Sequence, residues 1–466
     1  MKRALPLMLA LSACSMAPDY ARTTPPVPAS WPVGDAYLRQ SEASLPSVTY
    51  RDVFRDQRLQ RLIETALANN RDLRIAAANI AAARAQYRVQ RASIFPVVNV
   101  GADYSRRSAG SNTGNVVTGN GSSLSADVGI SGFEIDLFGR LRSLSDAAQN
   151  RYFGTEAAAR AVRLTLVADI ADAWLSCAAD RSLLQVAQNT VASARRSVDL
   201  TAARLKGGIA PRTDLAQAQQ ILGQAEADVA AQTTAIAQDI NALRLLVGTV
   251  VDPALLADSI DVAGPTVAAL PAGLDSRVLL RRPDIVQAEY ELRAANAEIG
   301  AARAALFPTI SLTGLVGFAS NTLTSLFTGN AFTWSVGPAI NYPIFRAGAG
   351  RAGVELSEAQ RDAALASYER AIQSGFRDVA DGLARRGTIA AQLAAVDRQT
   401  AAAADTYRLT EARYRGGIDT FLASLDAQRS LYTAQRTQVN TRLVAASNGV
   451  TLYRALGGDA LMDAPL

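Results

Sequence analysis

The chain runs to 466 residues and is 49% hydrophobic, 6% aromatic and 19% charged. That balance excludes a disordered chain, and the lack of any run of about 20 uninterrupted apolar residues after the N-terminus excludes a multi-pass helical bundle. A net charge of +5, carried by Arg spread singly among Ala, Asp and Glu with Lys only at Lys2 and Lys206, marks solvated helix faces and speaks against nucleic acid.

In chain order, Met1-Lys2-Arg3 is a positive leader and Ala4–Leu11 a short apolar stretch. Leu11-Ser12-Ala13-Cys14 then supplies a branched residue, two small ones and a Cys. Residues 1–13 therefore read as a lipoprotein signal peptide, with a covalent lipid expected on Cys14. The alternative, a short buried helix with an incidental Cys, leaves the charged and small residues at these offsets without a reason. Ser15, in place of Asp, resembles lipoproteins sorted to the outer membrane. Residues 14–50, with Thr23-Thr24-Pro25-Pro26-Val27-Pro28 among them, read as an extended tether. The chain has no His and one further Cys, Cys177, so neither a His or paired-Cys zinc site nor a His-dependent nucleophile can be built. Cys177 reads as a small core residue. No enzyme is expected, and no cofactor beyond the lipid on Cys14.

The body is duplicated. Lys206-Gly207-Gly208-Ile209 matches Arg415-Gly416-Gly417-Ile418 at a shift of 209, which also carries Ala218-Gln219 onto Ala427-Gln428. Ile94-Phe95-Pro96 pairs with Leu306-Phe307-Pro308 at a shift of 212. Repeat 1 spans 51–248, a connector 249–281, repeat 2 282–457 and a tail 458–466. Repeat 1 opens with a helix over Asp56–Ile94, which Phe95-Pro96 stops. Strands follow at 97–106 and 123–137, then a long helix 140–206, a Gly turn and a helix 212–247. Repeat 2 offers strands 309–318 and 331–344, a long helix 348–415, a Gly turn and a helix 419–456.

The strands alternate with period two. Val98, Val100, Ala102 and Tyr104 oppose Asn99, Asp103 and Ser105, and Phe332, Trp334 and Val336 oppose Thr333 and Ser335. A soluble sheet with one wet face gives the same pattern. Two features favour a transmembrane β-barrel: strands of about 10 residues, enough to cross a bilayer when tilted, and Tyr104, Phe332, Trp334 and Tyr342 near strand ends as an aromatic girdle. Pro338 and Pro343 weaken the fourth strand, and Pro343 is placed where strand becomes helix. One chain supplies four strands, whereas a sheet in lipid cannot leave open edges and a barrel needs at least about eight. A monomer is excluded; two or more copies remain allowed, a dimer giving a filled barrel and a trimer a lumen.

No proline interrupts Arg140–Arg204, and Leu164, Val167, Ala171, Trp174 and Ala178 follow a 3,4 spacing. Such a helix reaches on the order of 100 Å, a length suited to a tube across a periplasm. Gly207-Gly208 and Gly416-Gly417 supply the left-handed backbone for helix reversals. Beyond the second turn, Leu422, Asp426 and Arg429 fall at i, i+4 and i+7 on one face. Copied around an axis they give an apolar ring and a carboxylate ring whose mutual repulsion would gate a narrow tube; a solvated Asp426 in an i,i+3 pair with Arg429 is the plainer reading. Gly348-Ala349-Gly350-Arg351-Ala352-Gly353 has the GxGxxG form, but the helix beyond it is too long for a dinucleotide-binding βαβ unit.

Phe133-Glu134-Ile135-Asp136-Leu137-Phe138-Gly139-Arg140-Leu141-Arg142, Leu280-Arg281-Arg282-Pro283-Asp284-Ile285, Gly300–Pro308 and Leu425–Leu431 together resemble the outer membrane factor family. These are the TolC-like channels, and the likeness is strongest to their lipoprotein branch of OprM-type channels. The resemblance covers nearly the whole chain. It implies a homotrimer with a twelve-stranded barrel, a long α-helical periplasmic tunnel and an equatorial belt around Gly248–Leu280. It implies a channel for drugs or other small amphiphilic compounds in a tripartite efflux pump, lipid-anchored in the outer membrane. A periplasmic adaptor and an inner-membrane resistance-nodulation-division pump are the implied partners. Gly207, Gly208, Gly416 and Gly417 then mark adaptor-contact tips, Leu422, Asp426 and Arg429 the periplasmic gate, and Tyr414 and Asp419 its bracing. Asp419 departs from the Arg that TolC-type members can carry there, and the first copy has Thr213, Gln217 and Gln220 in place of the gate residues. Protein secretion and metal-ion efflux are alternatives within the same fold; a non-conducting coiled-coil lipoprotein would leave the strands without a purpose.

Overall fold

The computed structural model describes residues 16–28, 30–32, 49–107, 121–268 and 276–457. Cys14, most of the tether, the middle of the first strand–strand loop and the C-terminal tail lie outside them. The chain forms two compact units: Met1–Thr24, Asn79–Glu156 and Gln287–Tyr368 make one, and Pro25–Ala78, Ala157–Val286 and Glu369–Leu466 the other. The principal elements are α1 (Gln57–Asn69), α2 (Arg71–Ala92), β1 (Val98–Arg107), β2 (Gly121–Glu134), α3 (Arg140–Lys206) and α4 (Arg212–Val247) in the first repeat. The second holds α5 (Pro283–Ala304), β3 (Thr309–Ser320), β4 (Phe332–Asn341), α6 (Ala349–Arg415) and α7 (Phe421–Leu456).

In the first unit the four strands form one antiparallel meander in the order β1-β2-β3-β4. Register sets the faces. Val98, Val100 and Tyr104 stand opposite Ile130, Val128 and Leu124, Val128 opposite Val316, and Val316 opposite Trp334. The apolar side is therefore continuous across all four strands, while Asp103, Ser105, Asp127, Ser125, Gly317 and Thr333 occupy the other. This apolar side is bare: Val100 is 81% and Trp334 71% exposed. Among the described residues, the outer edges of β1 and β4 have no partner strand. Pro338 is accommodated because β4 is one of those edges. Of the four girdle residues, Tyr104, Phe332 and Trp334 cluster at the end of the sheet bearing the long loops, and Tyr342 follows β4 at the other end.

The strand limits shift by one to three residues from those expected from the sequence, most at the ends of the second and fourth strands. The second strand stops at Glu134, not 137, after a bulge between Ile130 and Phe133 at Gly132, whose φ is +65°. Glu134 instead accepts two hydrogen bonds from Arg140, at 2.9 and 2.5 Å, and Asp136 accepts from the backbone N–H of Arg142 at 2.9 Å. The motif around Phe138 thus builds a strand-to-helix corner, where Phe138 stacks on Phe307 at 4.7 Å. The fourth strand ends at Asn341, not 344, and Pro343 falls in the connection to α6. That connection turns on Ala347 and Gly348, both at positive φ, which accounts for Gly348; Gly350 lies in the first turn of α6, where a Cβ would meet the Leu306 side chain at 2.8 Å.

The N-terminal segment is docked. Ala17 lies against Gly300, where a Cβ would come within 2.7 Å of the Ala17 nitrogen. Asn296 donates to the Pro18 carbonyl at 2.7 Å. Arg22 and Tyr20 both donate to Glu289, which also accepts from Arg293 at 2.6 Å. The Glu289 side chain is 5% exposed. Burial alone would push its carboxyl up, but the two guanidiniums more than offset this and hold it below the ordinary carboxylate range.

In the second unit the helix expected over Asp56–Ile94 is broken at Asn70, which takes an extended conformation. Its side chain accepts from the Leu73 N–H and donates to the Leu246 carbonyl at 2.8 Å, so it caps α2 and ties it to the end of α4. Trp174, fully buried, donates to the Leu255 carbonyl at 2.9 Å. Arg282 of the Leu280–Ile285 motif reaches the Ala455 carbonyl at 2.7 Å and Asp284 at 2.8 Å, tying down the end of α7. Cys177 is a buried free thiol pushed up to about 11, chiefly by burial, which makes it inert at neutral pH.

Candidate functional site

Two helix reversals lie in the second unit and are built alike. Ile209 N–H donates to the Arg204 carbonyl and Ile418 N–H to the Arg413 carbonyl, each at 2.9 Å; Gly208 N–H and Gly417 N–H reach the carbonyls of Leu205 and Tyr414, each at 3.0 Å. This is the Schellman pattern, and Gly208 and Gly417 take the left-handed conformation it requires, with φ of +73° and +74°. Gly207 and Gly416 precede them on the last helical turn. Ile209 and Ile418, directly beyond, are exposed.

The second turn carries an added fastener. Arg413 donates to Asp419 at 2.6 and 3.1 Å across the reversal. The guanidinium holds the Asp419 carboxyl below the ordinary carboxylate range. Thr420 caps α7 by accepting from the Ala423 N–H, which is why the helix begins at Phe421 and not at 419.

Tyr414 and Asp419 have different partners within the chain. Tyr414 is 8% exposed and packs with Phe421, Leu425, Ala194, Ala218 and Ile221 in a small apolar cluster. Its ring lies 5.3 Å from that of Phe421, and the Arg204 guanidinium sits over it at 4.8 Å. Such a cation–π contact contributes about 0.5–1 kcal/mol near a surface.

The face with Leu422, Asp426 and Arg429 is open within the chain. Leu422 is 51% exposed, and the Asp426 side chain 61%. Asp426 and Arg429 approach only to 3.8 Å, a loose pair of small energetic weight. Arg429 also donates to Gln220 of α4 at 3.4 Å. The next turns of α7 are held more firmly. Gln428 donates to Ser193 at 2.8 Å, and Tyr432 donates to Asp228 at 2.5 Å. The sequence does not single out Arg204, Arg413, Asp228 or Tyr432 as site residues. For Arg204 and Arg413 a signal existed, since both stand just before a Gly-Gly reversal.

A family model for outer membrane efflux proteins matches residues 62–249 and again 274–458, one match to each repeat. The chain belongs to the outer membrane efflux protein family. Among curated outer membrane efflux proteins it is 43% identical over 451 residues to the toluene efflux pump outer membrane protein TtgC of Pseudomonas putida, covering 96% of this chain and 93% of that one. It is 36% identical over 451 residues to the cation efflux system protein CusC of Escherichia coli, covering 97% of each. The solved open state of the Neisseria gonorrhoeae MtrE outer membrane channel superposes with a TM-score of 0.83 at 34% identity, covering 97% of this chain and all of that one. These relatives are channel and transport proteins. The duplicated helix–strand–strand–helix architecture is accordingly that of an outer-membrane efflux channel.

Proposed function

We propose that three copies of this chain form the exit duct of a tripartite efflux pump, passively conducting small amphiphilic compounds through the outer membrane. The observation that carries this reading is the four-stranded sheet with a bare apolar side and two unpaired edges. Such a sheet is stable in lipid only when other copies supply the missing strands, and three copies give about twelve, wide enough for a lumen. A lipid on Cys14 would add a second attachment to the same membrane. The exposed Ile209 and Ile418 beside the paired glycine reversals suit docking of a periplasmic adaptor, which would connect the duct to an energised inner-membrane pump of the resistance-nodulation-division class. Leu422, Asp426 and Arg429 would then line the narrow periplasmic mouth.

The cargo reading rests on the relative named for toluene at 43% identity; the cation efflux relative at 36% makes metal ions the second candidate. Two measurements test the proposal. Native mass spectrometry of the purified lipoprotein should give three copies, and a stable single-copy species would refute it. Deleting the gene, alone and with a cognate pump, should raise accumulation of dyes and solvents; accumulation of metal ions alone would shift the cargo.

A further inference from the structure

Tyr432 of α7 and Asp228 of α4 join the α6–α7 hairpin to the α3–α4 hairpin, with the phenol donating to the carboxylate at 2.5 Å. The Asp228 side chain is largely buried, and Arg436 approaches the same carboxylate at 3.6 Å while lying 5.6 Å from the Tyr432 ring. Tyr432 lies six positions beyond Asp426, under two helical turns along α7. The other links from this part of α7 to the first hairpin are weaker in kind: Gln428 to Ser193 joins two neutral groups, and Arg429 to Gln220 is long at 3.4 Å. Hydrogen bonds to an ionised acceptor are roughly twice as strong as neutral ones.

The contact also breaks the internal symmetry. At the repeat shift of 209, which also separates Gln220 from Arg429, the counterparts of Tyr432 and Arg436 are Gly223 and Ala227, and that of Asp228 is Thr437. The duplication therefore supplies no second copy of this tie. One per chain joins the hairpin bearing the gate-like face to the hairpin lacking it.

We propose that the Tyr432–Asp228 pair is the closing tie of the channel: it holds the first turns of α7, with Leu422, Asp426 and Arg429, against α4, and the mouth widens when it parts. The proposal rests on the reading of that face as the gate. Burial and the adjacent carboxylate push the Tyr432 phenol well above its ordinary value, so it remains a donor throughout the physiological range. Opening then requires mechanical separation of the helices, as a docked partner could supply, and is not driven by mild changes of pH.

The test is single-channel recording of the purified full-length protein in planar bilayers. Tyr432→Phe and Asp228→Asn should each raise the frequency of the open state by roughly tenfold, the factor expected when a tie of this class biases a two-state equilibrium. The double variant should add little to either single change, because both remove one interaction. Asp426→Ala serves as the control for the gate itself. If Asp426→Ala raises conductance while Tyr432→Phe and Asp228→Asn leave opening at the wild-type level, the tie is refuted and the gate stands. If none of the three changes the current, both readings fall. Thermal melting of the same samples separates packing from latching: lower stability with unchanged opening also refutes the tie.

Discussion

Arg429 touches its own counterpart. It donates to Gln220 at 3.4 Å, and the two residues stand 209 positions apart, which is the shift that superposes one half of the sequence on the other. Equivalent points on α4 and α7 therefore face each other, and the duplication has placed a neutral amide opposite a cation. The copies differ in polarity along this face: Thr213, Gln217 and Gln220 in one correspond to Leu422, Asp426 and Arg429 in the other.

Because Asp426 is paired only at 3.8 Å and its side chain is 61% exposed, its charge would act on passing ions if this face lines the proposed mouth. Replacing it with Ala should raise single-channel conductance and weaken cation preference, with little effect on folding, since an exposed pair contributes about 0–1 kcal/mol. Conductance indistinguishable from the parent protein would remove Asp426 from the gate.

Val336 sits on the bare side of β4, and Asp103 on the opposite side of β1. Val336→Arg should cost about 2–4 kcal/mol if that side meets the middle of the bilayer and should abolish assembled oligomer on semi-native gels. Asp103→Asn should assemble normally. Equal behaviour of the two variants would mean that the apolar side does not face lipid.

Glu289 holds the N-terminal segment through Arg22, Tyr20 and Arg293. Glu289→Ala removes the shared partner of two partly exposed guanidiniums and should cost about 1–2 kcal/mol. Its carboxyl is held below the ordinary range in the folded chain, so this stabilisation is present at neutral pH and is lost as pH falls through the folded-state value. Gly300→Leu should release the same segment by collision with Ala17 while leaving the charges intact. Limited proteolysis should cut upstream of residue 50 faster in both variants; unchanged digestion would mean that these contacts do not secure the segment.

Asp239 of α4 carries the opposite shift. Burial, reinforced by the nearby Asp180, pushes its carboxyl up to about 6. A carboxyl raised on folding binds its proton more tightly in the native state, so stability should decline as pH rises from about 4 toward 6. Asp239→Asn should flatten that decline and raise the melting temperature at pH 7. A melting curve with the same pH dependence as the parent would contradict the assignment.

Much of the fold was legible because its elements are long and strongly periodic. The strands announce themselves through Val98, Val100 and Tyr104 alternating with Asn99, Asp103 and Ser105, and the reversals through doubled glycines. The misread limits have local causes that periodicity does not encode. Asn70 interrupts a helical pattern because its amide finds the Leu246 carbonyl, a partner 176 positions away. Glu134 ends its strand because Arg140 claims it. At the tips, the spacing of Leu422, Asp426 and Arg429 gave the shared face. It could not separate Tyr414 from Asp419, since only packing sends one into an apolar cluster and the other across the turn to Arg413. Tyr432 and Asp228 left no trace in the sequence because neither half of the pair has a matching residue in the other repeat.

The unpaired edges of β1 and β4 carry a genetic consequence. If every cylinder is assembled from three staves, one faulty stave spoils the whole cask. A cell making sound and defective chains in equal amounts would retain only about one intact assembly in eight under random mixing. Lesions in these strands should therefore behave as dominant-negative alleles, whereas lesions that stop the chain from being made should be recessive.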